Sequence, residues 1–267
     1  MSRMHVPKFN EIFFKSVELY KDNFKQLFVI TLIASVIREL LQVASSNAGM
    51  QHLMEVAQKQ GMEAVQMQID SKVLLTLIFF GCLSGLVWLI AHALCVVMLN
   101  ESWQGRKISW RSAMKLIWSC LVILIFSSLV AKFLIGFGLM FYMIPGLIIG
   151  TFFFVYIPVI IFENKSVFSG LKRSSILARG NFWLTLWMCF FTLILMIFPD
   201  LVGAVVRGQE AVSDVSVGMD EVVVIFLSAT LMPFVAALVL TQYHALKSIY
   251  RNNRLEQEAQ SETEKNG

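Results

Sequence analysis

Long apolar stretches separated by short polar ones dominate the chain, and six of them read as membrane spans: Gln26–Val43, Val73–Leu99, Leu116–Phe141, Met143–Phe162, Phe182–Val206 and Val222–Leu246. Each approaches or exceeds the roughly 20 helical residues, at 1.5 Å rise, that cross a hydrocarbon core. The runs are unbroken where a membrane barrel would show short alternating segments, so the pattern predicts helices. The division between the third and fourth spans is open. Leu116–Phe162 is one apolar block interrupted by Gly136, Gly138 and Pro145-Gly146, and either cluster can hold the turn. The polar stretch Ser45–Asp70 reads as the first-to-second connection.

Amphipathic segments precede the odd-numbered spans. In Lys8–Lys25, Phe9, Ile12, Phe13, Val17, Tyr20 and Phe24 recur at helical spacing, with lysines and carboxylates on the other side. Such a helix fits the headgroup layer, its aromatic face toward the acyl chains and its lysines near anionic lipid headgroups. Ser166–Asn181 has the same character. The two segments also match: Ser16-x-x-Leu19-x-x-x-Asn23-Phe24 against Ser174-x-x-Leu177-x-x-x-Asn181-Phe182, while Ile108–Trp118 repeats the pattern loosely. The expected architecture is therefore all-α, a polytopic integral membrane bundle of about six transmembrane helices with amphipathic interfacial helices, in three repeated units of one amphipathic helix and two spans. Residues 1–249 form the membrane domain and 250–267, rich in Glu, Gln, Asn and Ser, a mobile cytoplasmic tail.

Composition agrees: 57% hydrophobic and 15% charged residues leave too little polar surface to coat a soluble globule. Charge sets orientation. Arg3, Lys8, Lys15, Lys21 and Lys25 precede the first span, Arg106, Lys107, Arg111 and Lys115 join the second to the third, and Lys165, Lys172, Arg173 and Arg179 join the fourth to the fifth. Lys247, Arg251, Arg254 and Lys265 follow the sixth. The other two connections hold only Lys59, Lys72 and Arg207, the last beside Glu210, Asp214, Asp220 and Glu221. Lys and Arg are retained on the cytoplasmic side, so both termini are expected there. Because the cations are spread over several loops, the net charge of +4 marks topology and not a nucleic-acid surface. The first seven residues lack a signal-peptide core, so the N-terminus is expected to be retained. Cys82, Cys95, Cys120 and Cys189 all lie in apolar runs without CxxC spacing and read as packing residues.

The stretch Ile144–Phe182 resembles the diagnostic region of the YciC-like family of bacterial inner-membrane proteins, and the related membrane domain attached to some glycerophosphodiester phosphodiesterases. The shared elements are Pro145 and Gly146 opening a span, Pro158 within it, Glu163 just beyond, Arg173 and Ser174 on a basic helix, and Asn181 leading into the next span. The resemblance implies a six-span fold in a bacterial inner membrane and brings no catalytic residue with it. No phosphodiesterase domain fits in 267 residues already committed to spans. Independently of the family, Pro145 suits a first helical turn and Pro158 should bend its span. Gly146-x-x-x-Gly150 and Gly81-x-x-x-Gly85 place small residues on one helix face for close packing.

Catalytic motifs are missing: there is no phosphate-binding loop, HExxH or Gly-x-Ser-x-Gly. Ser84 in Gly81-Cys82-Leu83-Ser84-Gly85 and His92 lie on one helix about 12 Å apart, too far for the roughly 3 Å of a Ser–His pair. His92 and His244 read as hydrogen-bonding residues. No cofactor and no metal is expected. Ionisable residues inside spans are costly and mark sites when unexplained. The candidates are Arg38, Glu39, Lys132 and Asp200; the first, second and fourth lie toward outer ends, where snorkelling accounts for them, while a turn at Pro145 would bury Lys132 deeper and call for a partner such as Asp200. The expected role is that of a structural or accessory protein acting through membrane lipids or a partner protein. A small transporter or channel with proline-broken helices is the alternative, and an intramembrane enzyme ranks third.

Overall fold

The computed structural model describes residues 8–60, 71–141, 143–207 and 219–266, which form eight helices and no strand among the described residues. They are α1 (Phe9–Gln60), α2 (Ser71–Trp103), α3 (Trp110–Met140), α4 (Met143–Phe152), α5 (Tyr156–Glu163), α6 (Val167–Arg179), α7 (Phe182–Arg207) and α8 (Met219–Asn266). Six segments are long and apolar enough to cross a membrane: Phe9–Ser45, Leu74–Trp103, Trp110–Met140, Ile144–Glu163, Phe182–Val206 and Met219–Glu258. These are the six runs read from hydropathy. The N-terminal residues 1–7 and the parts of the two sparsely basic connections at 61–70 and 208–218 lie outside the described residues.

The exposed surface of the spans is apolar in the way a lipid solvent requires. On α3, Trp118, Val122, Phe126, Leu129, Phe133, Phe137 and Met140 recur every three or four residues and are all exposed, Met140 at 84%. The opposite stripe, Ala113, Ile117, Leu124, Ser127, Ala131 and Gly138, is buried. An apolar stripe of that length facing water would be an aggregation surface; facing acyl chains it costs nothing.

Several local expectations are corrected. Lys8–Lys25 is not a separate interfacial helix but the beginning of α1, which runs unbroken for 52 residues, with no proline in it and no glycine before Gly49 to end it at the membrane surface. Its aromatic face turns inward: Phe13 packs edge-on against Phe191 and Phe234, and Tyr20 against Phe234. Ser45–Gln60, read as loop, continues the same helix. The tail likewise continues α8 to Asn266, exposed from Arg251 to Glu258, helped by good helix formers and an Arg254–Glu258 pair at i,i+4. Among the described residues, only α6 stands as a separate amphipathic helix.

The third and fourth spans meet in a hairpin whose turn lies between the two glycine clusters. Helix α3 ends at Met140, the Phe141 N–H bonding the Gly138 carbonyl, and α4 begins at Met143. Gly138 and Gly146 face each other across it. A Cβ on Gly138 would lie 2.9 Å from the Gly146 Cα, so the two backbones touch where neither has a side chain. Gly150 makes ordinary contact with Cys189, at 3.7 Å from a built Cβ, but Gly81 has nothing within 4 Å of a built Cβ among the described residues. Gly85 is half-buried. Cys95 is buried as expected, whereas Cys82 is exposed; all four cysteines are free thiols.

Pro158 breaks the fourth span. Its ring cannot follow the Phe154 carbonyl in a regular helix and it has no N–H to donate, so α4 ends at Phe152 and α5 restarts at Tyr156. The Tyr156 N–H bonds Phe153 in place of Phe152. The Phe152 carbonyl so released accepts the hydroxyl of Ser174 on α6, at 2.8 Å.

The chain packs as two compact units. Described residues up to Leu27, His92–Phe198 and from Leu231 onward form the first; Phe28–Ala91 and Pro199–Thr230 form the second. In the first, the ends of the even-numbered spans make the core: His92–Asn100, Ile157–Ile161 and Val235–Tyr243 are buried at every position. The first turns of α1, α3 and α6 each bury one stripe against it. Counted from Lys8, Ser109 and Ser166, the fourth and eighth positions are buried in all three: Ile12 and Ser16, Ala113 and Ile117, Gly170 and Ser174. The repeat is thus architectural and includes the α3 segment, where Ala113 and Ile117 keep the burial phase without the residue identities. In the second unit the Thr31 hydroxyl donates to the Ala229 carbonyl at 2.7 Å, and Gly203 closes against Val224.

Candidate functional site

A groove of about 820 Å³ opens in the first unit between the start of α1, the end of α2, α6 and the end of α8. Five cations line it, Lys15, Arg173, Lys247, Arg251 and Arg254, against one carboxylate, Glu11. Helix α8 contributes Lys247, Arg251 and Arg254 because spacings of four and three residues return to one helix face.

Glu163, at the end of α5, anchors the deeper part. Its Oε2 accepts the Arg173 Nε–H at 3.0 Å, and its Oε1 accepts the Tyr243 hydroxyl at 3.2 Å. Lys247 lies 3.8 Å from the same carboxylate and donates to the Tyr243 oxygen at 2.9 Å. The Glu163 and Arg173 side chains are only 12% and 21% exposed, so this pair is shielded in a way surface pairs are not. The Arg173 guanidinium also lies over the Tyr250 ring, 4.2 Å from its centroid. The bond at Nε leaves the terminal nitrogens of Arg173 with no protein partner among the described residues.

Aromatic groups form the other wall. The His244 ring stacks on Trp103, centroids 4.9 Å apart and planes within 7°, and its Nε2 pairs with the Asn100 Oδ1 at 3.0 Å. This interhelical bond is the role expected of His244. Lys15 sits over Trp103 at 5.6 Å and pairs with Glu18 at 2.9 Å. That pair and Arg254–Glu258 are both well exposed and worth about 0–1 kcal/mol each, so either gives way readily to a ligand.

Of the motif residues, the structure brings Glu163 and Arg173 together at the groove and puts Ser174 behind them on the Phe152 carbonyl. Pro158 makes the break that Ser174 caps. Pro145 and Gly146 serve the hairpin, and the Asn181 carbonyl accepts the Thr185 N–H and hydroxyl at the start of α7. Trp103, Tyr250 and the basic face of α8 went unnoticed in the sequence. The i, i+4, i+7 spacing of Lys247, Arg251 and Arg254 is the signal that would have found the latter.

The ionisable residues of the spans divide differently from expectation. Arg38 and Glu39 do not snorkel: their side chains are 17% and 9% exposed and lie 3.6 Å apart within the second unit. Arg38 also reaches Asp200 at 3.5 Å and lies 5.2 Å from the Trp88 ring centroid, while Asp200 itself is 61% exposed. The arginine turns inward because it has carboxylate and aromatic partners there. Lys132 is exposed beside Phe133 on the lipid-facing stripe of α3 and has no partner among the described residues; Asp200 is taken by Arg38.

These features define a multi-pass α-helical membrane protein with a basic, aromatic-walled groove. No family model matches the chain, and no curated protein and no solved structure does.

Proposed function

We propose that the protein is a non-catalytic accessory protein of the bacterial inner membrane, of the YciC-like kind, with both termini in the cytoplasm, and that it works by engaging anionic lipid headgroups. The observation that carries this reading is the groove, with five cations against one lining carboxylate at the place where the start of α1 and the end of α8 meet. Cytoplasmic leaflets are rich in anionic lipid, and each Lys or Arg near such a surface contributes about 1 kcal/mol. The distribution of basic residues among the connections supports the same orientation.

The test is lipid selection. Protein released from nanodiscs of phosphatidylcholine with a minority of phosphatidylglycerol should carry the anionic lipid in clear excess over its share of the bilayer, as read by native mass spectrometry. Retention in proportion to the bilayer would overturn the reading.

A transporter is the second reading, favoured by the inward-facing Arg38–Glu39 pair within a span. It predicts a water-filled passage reaching that pair in the protein at high resolution; a dry surround removes it.

A further inference from the structure

We propose that the groove is a binding site for a phosphomonoester, held by Arg173, Lys247 and Arg251, with Glu163 as the residue that positions the first two. The proposal rests on the anion-binding reading above and narrows it to one chemistry.

The cations are prepared for a compact, multiply charged ligand. Arg173 is fixed by its Nε bond to Glu163 and by the Tyr250 ring, which leaves its terminal N–H groups free to donate. A guanidinium held in that way presents a planar fork suited to two phosphate oxygens. Lys247 is tethered to the Tyr243 hydroxyl and keeps further ammonium hydrogens to donate. Arg251 lines the groove and makes no ion pair or hydrogen bond among the described residues. Holding two of the cations in place before binding removes part of the ordering cost that a ligand would otherwise meet.

Charge distinguishes a monoester from a diester. A phosphodiester carries one negative charge, whereas a phosphomonoester carries nearly two at pH 7.5, its second pKa being about 6, and offers three terminal acceptor oxygens. Lys15 and Arg254 have exposed partners in Glu18 and Glu258, Glu11 is on the wall and Glu163 lies behind, so the charge presented to a ligand is that of Arg173, Lys247 and Arg251, and three converging cations match the dianion better. A volume of about 820 Å³ exceeds what phosphate alone fills, and the Trp103–His244 stack offers an apolar wall for the group that bears it. That group is either the glycerol of a lipid such as phosphatidic acid or a soluble phosphate ester.

The experiment uses the full chain in nanodiscs. With equal minorities of phosphatidic acid and phosphatidylglycerol in phosphatidylcholine, native mass spectrometry at pH 7.5 should show phosphatidic acid retained about tenfold over phosphatidylglycerol, the worth of one extra charge-assisted hydrogen bond. The preference should shrink as pH falls through about 6, where the monoester loses its second charge. In phosphatidylcholine nanodiscs, calorimetric titration with glycerol 3-phosphate separates the sources: heat of binding assigns a soluble ester, and its absence beside retained phosphatidic acid assigns the lipid. Arg251→Gln, at an exposed and unpartnered site, should abolish the preference without changing thermal stability. Glu163→Gln should weaken binding, because Arg173 and Lys247 lose their anchor; if Glu163 merely competed with the ligand, the same change would tighten it. Equal retention of the two anionic lipids together with no glycerol 3-phosphate binding overturns the phosphomonoester site while leaving the anionic-lipid reading standing if both exceed phosphatidylcholine. Retention of neither overturns both. An unaltered preference in Arg251→Gln, or tighter binding in Glu163→Gln, refutes the assigned roles.

Discussion

Ser174→Ala tests the link between the proline break and the helix that covers it. The Ser174 side chain is fully buried and its hydroxyl donates to the Phe152 carbonyl at 2.8 Å, a carbonyl that lacks its own helical donor because the chain breaks ahead of Pro158. Removing the hydroxyl leaves a buried acceptor unsatisfied, a loss of about 1–3 kcal/mol in proteins generally. Interhelical side-chain bonds in membranes average nearer 0.6 and reach about 1.7 kcal/mol, so about 1–2 kcal/mol is expected here. Unfolding in mixed micelles of increasing sodium dodecyl sulfate fraction, followed by circular dichroism and intrinsic tryptophan fluorescence, measures it. The decisive measurement is the cycle with Pro158→Ala. Alanine at 158 restores an N–H and removes the ring, permitting a continuous helix in which the Tyr156 N–H takes the Phe152 carbonyl. In that background Ser174→Ala should cost less by about 1 kcal/mol, a coupling well outside the additivity of independent sites. An equal cost in both backgrounds, or a cost in the wild type below about 0.5 kcal/mol, would refute the claim that Ser174 caps a proline-released carbonyl.

Gly146→Ala places a Cβ 2.6 Å from the Leu139 Cγ and 2.9 Å from its backbone nitrogen, and should destabilise the hairpin by about 1–3 kcal/mol, whereas Gly136→Ala, with nothing within 4 Å, should be neutral or slightly stabilising in the same unfolding assay. Arg38→Gln strips the buried Glu39 of its charge partner and should cost about 3–5 kcal/mol; Asp200→Asn, at a side chain 61% exposed, should change stability by less than about 1 kcal/mol, and a larger effect there would mean that Asp200 is the true partner of Arg38.

The span content of this protein is a local property, and local patterns determined it. A helix in lipid satisfies its backbone within itself, so a run of apolar residues of bilayer length declares a span wherever its neighbours lie, and all six runs reappear in the structure. The short Ser-x-x-Leu match also has a structural consequence, since Ser16 and Ser174 occupy the same buried position of the first and third repeats. What tertiary structure alone decided concerns faces and partners. The turn between the third and fourth spans lies where Gly138 and Gly146 bring two backbones together, and composition cannot choose between two glycine clusters when the answer is that they pack on each other. The aromatic stripe of Lys8–Lys25 suits lipid and protein equally by periodicity; the presence of Phe191 and Phe234 opposite it settles the matter. Arg38 reads as a snorkelling residue until Glu39, Trp88 and Asp200 are found around it. The groove is the extreme case: its residues come from four helices far apart in sequence, three of them bringing one or a few charges that by themselves mark only the side of a membrane and the fourth bringing Trp103. Their convergence, and the anchoring of Arg173 and Lys247 by Glu163, exist only in three dimensions, because a charge binds through the distances it keeps to its neighbours.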